Sequence, residues 1–165
     1  MALRNILTEE NPTLFKKSRP VTKFDERLHI LLDDMKETLL DSGGVGLAAP
    51  QVGVLRRLFL VDTGEEVLEC INPEIIETSG EQDGPEGCLS VPGKYGMVKR
   101  PNVVKIRAQD RFGDWFEAEG EELIARCFCH EYAHLDGQLY TAVAYHMLTR
   151  EELEALYAES EEDED

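Results

Sequence analysis

Residues 129–134 read Cys-His-Glu-Tyr-Ala-His, and this stretch decides the fold. Its two histidines can act together on one ion only if the segment is helical. Residues four apart lie on one face of a helix, so His130 and His134 can bind the same ion. Glu131 lies about 100 degrees round the helix from His130, beside the ion and outside its ligand set. A base that acts on metal-activated water should stand there. The plainer interpretation is a surface helix with two solvated histidines.

This helix is predicted to be buried and to run from Glu121 to about Leu135. Gly137 should end it, because glycine readily takes the left-handed conformation beyond a helix end. Its apolar positions recur at helical spacing and are Leu123, Ile124, Cys127, Phe128 and Tyr132.

Two further helices are predicted, one near each end of the chain. The first spans residues 24–41, where five apolar side chains share one face before Gly43. The last begins near Thr149, which has capping-box spacing to Glu152. Between residues 43 and 53 the glycines and Pro50 favour a loop.

Short β-type runs fill the region between the first two helices. The strands are predicted at residues 57–62, 67–71, 74–78, 103–108 and 115–118. The last two should form a hairpin about the turn at residues 111–114. We therefore predict an α+β fold of mostly antiparallel strands packed around a central metal-binding helix, with an N-terminal and a C-terminal helix. One domain is expected over residues 1–158, followed by an acidic disordered tail over residues 159–165.

Composition and charge limit the partners. The 165 residues are 42% hydrophobic and carry a formal net charge of −17, which repels the phosphates of DNA. No apolar run approaches the roughly 20 residues that cross a bilayer, and no signal peptide is recognised. We expect a cytoplasmic monomer that binds neither DNA nor a membrane, with its four cysteines reduced.

A catalytic metal site usually has three protein ligands, so a third must come from elsewhere. The pattern that supplies a third histidine fails, because Tyr140 stands at that position. Glu154 has a plausible offset but lies in a region rich in glutamate. Cys88 follows Gly87, which permits close backbone approach, and residues 83–87 read as an ordered loop. The residues alone leave both Glu154 and Cys88 open.

Three segments taken together resemble the signature motifs of peptide deformylases. They are residues 44–51 (GVGLAAPQ), 86–90 (EGCLS) and 130–137 (HEYAHLDG), in the order and at about the separations of that family. The resemblance implies hydrolysis of the N-formyl group from the formyl-methionine of newly made polypeptides, with release of formate. It also implies one divalent metal ion, expected to be Fe²⁺, with Zn²⁺, Ni²⁺ or Co²⁺ as substitutes.

The resemblance assigns roles to particular residues. The metal ligands would be Cys88, His130 and His134, and Glu131 would act as acid and base. The oxyanion would be bound by the side-chain amide of Gln51 and the backbone N–H of Leu89. The substrate-binding residues would be Val45, Gly46, Leu123 and Cys127, with Gly46 allowing a peptide to approach a strand edge.

The match departs from the family pattern at Cys129, Ala133 and Arg126. The Asp that usually stands at position 133 joins an ion pair, for which Arg100 is the expected partner and Asp136 a candidate substitute. The acidic tail should repel ribosomal RNA, so any ribosome association is expected to be weak. Two other functions stay open: a small metallopeptidase that uses Glu154, and a divergent member that binds metal or formyl-peptides without turnover.

Overall fold

The described part of the chain forms two antiparallel sheets and three α-helices. The computed structural model describes residues 2–164, with side chains as far as residue 159. The elements in chain order are α1 (Glu26–Ser42), β1 (Gly46–Ala48), β2 (Leu58–Asp62), β3 (Val67–Ser79), β4 (Gln82–Cys88), β5 (Val91–Arg100), β6 (Val103–Gln109), β7 (Trp115–Glu121), α2 (Leu123–Leu135), β8 (His146–Met147) and α3 (Arg150–Glu164). Three short 3₁₀ helices lie at Pro12–Phe15, Ala49–Val52 and Tyr140–Ala142.

The sheets differ in size and are joined through the chain between β3 and β6. The larger has five strands in the order β1-β2-β3-β6-β7, and the smaller has three in the order β4-β5-β8. All paired strands within the two sheets are antiparallel. The predicted α+β class, with helices near both ends, is confirmed.

Helix α2 is the buried centre of the molecule. Its Ala125 and Phe128 pack on the larger sheet, where the rings of Phe128 and Phe59 have centroids 6.4 Å apart. Gly137 follows the helix at φ 75°, and a β carbon there would come within 2.6 Å of the Phe15 backbone. Glycine is therefore required both by the left-handed turn and by the close approach.

Helix α1 covers another part of the larger sheet. The Asp25 side chain accepts a hydrogen bond from the Leu28 N–H at 3.2 Å, which caps the first turn. Its apolar face buries Leu32, Met35 and Leu39 completely against side chains of β1, β2 and β3. The predicted first helix is thus present with bounds shifted by one or two residues.

Two predictions of local structure were wrong, one of two separate strands and one of a loop. Residues 67–71 and 74–78 belong to one strand, β3, which continues through a bulge at Asn72-Pro73. Asn72 takes φ 50°, and the bulge accommodates a proline that cannot donate to the ladder. Residues 83–87, expected as a loop, lie in β4, because pairing with β5 overrides the weak strand propensity of their glycines and proline.

The sequence patterns also missed regular structure. The segment from residue 43 to 53, expected as a loop, contains the short strand β1 and the 3₁₀ helix Ala49–Val52. Strands β5 and β8 had no prediction. Residues 91–100 include three charged side chains and two glycines, which obscure the alternation that usually marks a strand.

Helix α3 begins as predicted. The Glu152 N–H donates to Thr149 Oγ1 and the Thr149 N–H donates to Glu152 Oε1, each at 3.1 Å, which forms the capping box. The backbone of this helix extends to Glu164, and Asp165 lies outside the described residues. The acidic disordered tail over residues 159–165 stays a prediction. Glutamate and alanine are good helix formers, and a capped first turn favours continuation. Across residues 2–164, no helix has the length and apolar character of a membrane span.

Candidate metal centre

A thiol and two imidazoles from distant parts of the chain meet at one point. Cys88 ends β4, and His130 and His134 lie one turn apart on α2. Their three candidate ligand atoms all lie within 4.8 Å of one another. The closest pair is Cys88 Sγ and His134 Nε2, at 3.3 Å. Tyr140, which stands where another motif would have a third histidine, stacks beside His130 with ring centroids 6.0 Å apart.

The buried carboxylate of Glu86 fixes the orientation of one imidazole. His130 Nδ1 donates to Glu86 Oε2 at 2.7 Å, which leaves its Nε2 turned towards Cys88 and His134. Arg100 donates to the same carboxylate through Nε at 3.1 Å and Nη2 at 2.8 Å, and Arg126 through Nη1 at 3.0 Å.

These hydrogen bonds also keep Glu86 ionised. Burial by itself would raise the pKa of this carboxyl group, but the hydrogen bonds from His130 and Arg100 outweigh burial and lower the pKa to about 2. A charged acceptor holds a neighbouring N–H more strongly than a neutral one does. The orientation of His130 is therefore fixed by an ion-pair network centred on Glu86. The Glu-Gly-Cys motif contains this glutamate, but the sequence did not predict its partners.

Glu131 is a buried acid beside the ligand group. It is 1% exposed, and its Oε1 lies 3.8 Å from His130 Nε2 and 4.0 Å from His134 Nε2. Its Oε2 has no hydrogen-bond partner among the described residues. Burial raises the pKa of Glu131 to about 7. A carboxylate that is unpartnered and has a pKa near neutrality suits proton transfer.

Both ends of the Gln51 side-chain amide form hydrogen bonds that hold the residue beside Cys88. Its Oε1 accepts from the Ala48 N–H at 2.9 Å, and its Nε2 donates to Ser90 Oγ at 3.1 Å and lies 3.6 Å from Cys88 Sγ. Leu89 lies next to Cys88 in the turn between β4 and β5 and borders the same cavity. Ser90, which is fully buried, was missed by sequence reasoning because a lone serine carries no pattern.

A cavity of about 510 Å³ opens in front of these groups. All four residues predicted to bind substrate border it: Val45, Gly46, Leu123 and Cys127. Arg126, one of the positions at which the sequence departs from the family pattern, also borders it, as does Tyr95, which sequence reasoning missed. At Gly46 a β carbon would lie 2.6 Å from Cys127 Sγ and 2.9 Å from Glu131 Cγ, so only glycine fits between the two side chains.

The residues present fit a bound divalent metal ion. Ligand atoms of a tetrahedral thiolate–imidazole site lie about 3.3–3.6 Å apart, which agrees with the 3.3 Å between Cys88 Sγ and His134 Nε2. The sulfur also accepts a hydrogen bond from the Ser90 N–H at 3.4 Å, as a thiolate ligand would. Three protein ligands leave room for water or substrate, which is the arrangement of a catalytic site.

Two alternatives that the sequence left open do not match the geometry. Glu154 does not join the group: it lies on α3 with a side chain 66% exposed and pairs with Arg150. Asp136 does not pair with Arg100, because its Oδ1 accepts from Arg57 Nη1 at 2.9 Å. Arg100 instead binds Glu86 on β4.

Comparison with known proteins shows which family this chain resembles. The sequence profile of the family described as polypeptide deformylase matches residues 3–149. The peptide deformylase of Alkaliphilus metalliredigens is 55% identical over 141 residues, which are 86% of this chain and 96% of that one. That of Caldicellulosiruptor bescii is 52% identical over 154 residues, 93% of each chain.

Solved structures of peptide deformylases share the fold of this chain. The crystal structure of peptide deformylase from Thermotoga maritima superposes with a TM-score of 0.84 at 40% identity, covering 86% of this chain and 97% of that chain. A peptide deformylase from Legionella pneumophila gives a TM-score of 0.84 at 40% identity, covering 96% and 97%.

Proposed function

Because the chain belongs to the polypeptide deformylase family, we propose that Cys88, His130 and His134 hold the metal ion of its active site. The enzyme removes the N-formyl group from the formyl-methionine of newly made polypeptides and releases formate. The observation that carries the residue assignment is the convergence of one thiol and two imidazoles beside a buried, unpartnered carboxyl group.

Each polar residue of the site has a separate task in this proposal. When bound, the divalent metal supplies a Lewis acid that polarises the formyl carbonyl and lowers the pKa of a water molecule. Glu131 takes a proton from the attacking water at Oε2 and later delivers a proton to the leaving amine. The Gln51 Nε2–H and the Leu89 N–H donate to the oxygen on which negative charge develops.

The fixed orientation of the Gln51 amide supports its proposed role as a donor to the oxyanion. The Ala48 N–H holds Oε1, so the donor end of the amide is directed towards Ser90 and Cys88. A donor fixed in this way before the reaction does not have to reorganise as charge develops. The burial of Gln51 at 1% exposure strengthens the interaction, since little water competes for the amide.

The substrate is proposed to enter between β1 and the turn after β4. Gly46 lets an extended peptide approach the edge of the larger sheet, while Val45, Leu123 and Cys127 provide apolar contact for the methionine side chain. Burial raises the pKa of the Cys127 thiol well above its usual value, so this side chain stays neutral in the pocket.

Ferrous iron is the metal we propose, with Zn²⁺, Ni²⁺ and Co²⁺ able to replace it. A thiolate with two imidazoles accepts all four ions, and selection among them depends on availability as well as affinity. Metal analysis of protein purified without oxygen tests the assignment. Stoichiometric zinc with only traces of iron in such a preparation would contradict it.

Nascent formyl-methionyl peptides are the partners that follow from the activity. We further propose that the enzyme acts in the cytoplasm as a monomer, does not bind DNA or membranes, and associates weakly with ribosomes. The formal net charge of −17 supports the weak association, because it repels RNA phosphates. Tight, salt-sensitive cosedimentation with ribosomes that depends on residues 159–165 would contradict this.

The central experiment measures formate and metal in the same preparations. Formyl-Met-Ala-Ser should release formate with the wild type, and Glu131→Gln should reduce kcat by at least about 100-fold while retaining one metal per chain. Glu154→Ala is the matched control and should keep both activity and metal, whereas Cys88→Ala should lose metal. A Glu131→Gln variant with normal kcat, or Glu154→Ala protein without metal, would overturn the assignment.

A further inference from the structure

The ladder between β4 and β5 is interrupted beside the cavity. Glu86 pairs with Gly96, and the next pair along the strands joins Cys88 to Val91. Four residues of β5, residues 92–95, therefore stand opposite one residue of β4. All four border the cavity, and we call them the rim bulge. Bulges are common next to active sites, where they redirect side chains, so the shape of the cavity edge depends on what holds this one.

The side chain of Tyr140 holds the rim bulge from the interior of the molecule. Its hydroxyl donates to the carbonyl oxygen of Lys94 at 3.1 Å, and Tyr140 is only 1% exposed. The ring also packs where the bulge ends, since a β carbon on Gly96 would lie 3.3 Å from Tyr140 Cε2. A buried hydroxyl that lost its acceptor would be costly, so this hydrogen bond fixes the Lys94 carbonyl relative to the core.

The other attachments of the rim bulge lie nearer to the surface. Lys94 Nζ pairs with Glu9 Oε1 at 3.1 Å, but the lysine side chain is 62% exposed, and such ion pairs contribute little. Gly93 takes φ 77°, and no atom lies within 4 Å of where its β carbon would stand. Among the described residues, the Tyr140 hydroxyl is the only buried side-chain group that forms a hydrogen bond with the rim bulge.

The same tyrosine ring contacts the candidate metal site. It stacks beside the imidazole of His130, with an angle of 25° between the ring planes. Glu86 holds His130 at Nδ1, but one hydrogen bond still allows the imidazole to tilt about that nitrogen. A flat aromatic neighbour limits this tilt. One rigid side chain therefore contacts both the edge of the cavity and a proposed metal ligand.

We propose that Tyr140 is a positioning residue that couples the rim bulge to the metal site. Its hydroxyl keeps the rim bulge in the conformation that receives the peptide, and its ring keeps His130 in the orientation that binds the metal. This inference rests on the proposed function, because formyl-peptides are proposed to bind in this cavity. The two tasks belong to different atoms of one side chain, so substitutions can remove them separately.

Tyr140→Phe removes the hydroxyl and leaves the ring. With formyl-Met-Ala-Ser we expect KM to rise about fivefold, the effect of one modest hydrogen bond, while kcat and metal content stay close to those of the wild type. Hydrogen–deuterium exchange should become about fivefold faster at the amides of residues 93–95 and should not change in α2. Loss of general stability would instead lower the unfolding midpoint without raising KM or changing exchange selectively in the rim bulge.

Tyr140→Leu removes the ring as well. We expect the same rise in KM and, in addition, about tenfold weaker metal binding, measured by competition with a chelator. Tyr145→Phe is the matched control, because it removes a tyrosine hydroxyl that donates to Asp83 on β4, away from the residues that border the cavity. This control should leave KM, exchange at residues 93–95 and metal affinity as in the wild type.

An unchanged KM in a folded, metal-loaded Tyr140→Phe enzyme would overturn the role of the hydroxyl, and so would faster exchange that spreads evenly through α2. Wild-type metal affinity in a folded Tyr140→Leu protein would overturn the role of the ring. If Tyr140→Leu does not fold, the Tyr140→Phe measurements still decide whether the rim bulge is coupled. A wild-type protein that yields no formate from any formyl-peptide marks failure of the proposed function, which is distinct from an active wild type with an unaffected Tyr140→Phe variant.

Discussion

At Gly46 the backbone of β1 approaches two buried side chains of α2, those of Cys127 and of Glu131, the proposed acid and base. A β carbon there would meet both Cys127 Sγ at 2.6 Å and Glu131 Cγ at 2.9 Å. Neither contact can be relieved easily, because both side chains are buried on α2. The position of Glu131 therefore depends on the absence of a side chain on the neighbouring strand.

Gly46→Ala should reduce kcat by about 100-fold, because a displacement of about 1 Å at a catalytic group has an effect of this size. The fold should survive, since β1 is a short edge strand. Steady-state deformylation, metal content and the unfolding midpoint should be measured together. Normal kcat with retained metal would show that Glu131 tolerates the shift. The double variant Gly46→Ala/Cys127→Ala removes one of the two clashes and should recover part of the loss.

At the scale of elements, the N-terminal segment is fastened to α1 by one buried carboxylate. Asp34 is 6% exposed and accepts from the Ala2 N–H at 2.9 Å and from Arg4 Nε at 3.1 Å. The Arg4 N–H donates to Thr38 Oγ1 at 2.9 Å on the next turn of the helix. The hydrogen bond from Ala2, with help from Arg4, holds the pKa of Asp34 below its usual range.

Asp34→Asn should lower the free energy of unfolding by about 1 kcal/mol at pH 7, the typical worth of such a hydrogen bond. A folded-state pKa below the unfolded value stabilises the protein above the unfolded pKa of about 4, and this stabilisation is lost as the pH falls through the folded value. The difference between variant and wild type should therefore shrink below about pH 4. Denaturant unfolding at pH 3 and pH 7 measures it.

Glu37→Gln provides the control for this series, because Glu37 is exposed on the same helix. It should leave the free energy of unfolding almost unchanged at both pH values. A difference between Asp34→Asn and wild type that stays constant or grows in acid would contradict the assigned pKa direction.

At the scale of the whole molecule, the candidate site draws its residues from both sheets' surroundings. Cys88 belongs to the three-stranded sheet, and both histidines belong to α2, which packs mainly on the five-stranded sheet. A metal ion held by all three residues would therefore bridge the two sheets. Binding energy available only in the folded state adds to stability.

Removal of the metal by a chelator should lower the unfolding midpoint by roughly 5–10 °C, the shift expected for a ligand present at about 100 times its Kd. Thermal unfolding followed by circular dichroism, with and without chelator, measures the shift. Cys88→Ala should already melt at the lower temperature and should not respond to chelator. An unchanged midpoint in protein shown to be free of metal would contradict the bridging role.

The sequence by itself determined the features that depend on local spacing. The four-residue interval between His130 and His134 indicates a shared helix face, and the capping box at Thr149 and the left-handed Gly137 mark helix ends. These patterns depend on helix geometry and on residue-specific backbone preferences, which act within a few positions along the chain. The same locality makes the family motifs recognisable without coordinates.

Only the tertiary structure decided which distant groups meet. Glu86 and Arg126 are 40 residues apart, and no periodic pattern relates them, yet they pair beside His130. Strand pairing likewise made residues 83–87 part of β4. The position of Glu154 on α3, where its exposed side chain pairs with Arg150, keeps it out of the ligand group. Long-range contacts follow from the packing of sheets and helices over the whole chain. This packing depends on how much apolar surface the whole fold buries, which patterns of neighbouring residues do not reveal.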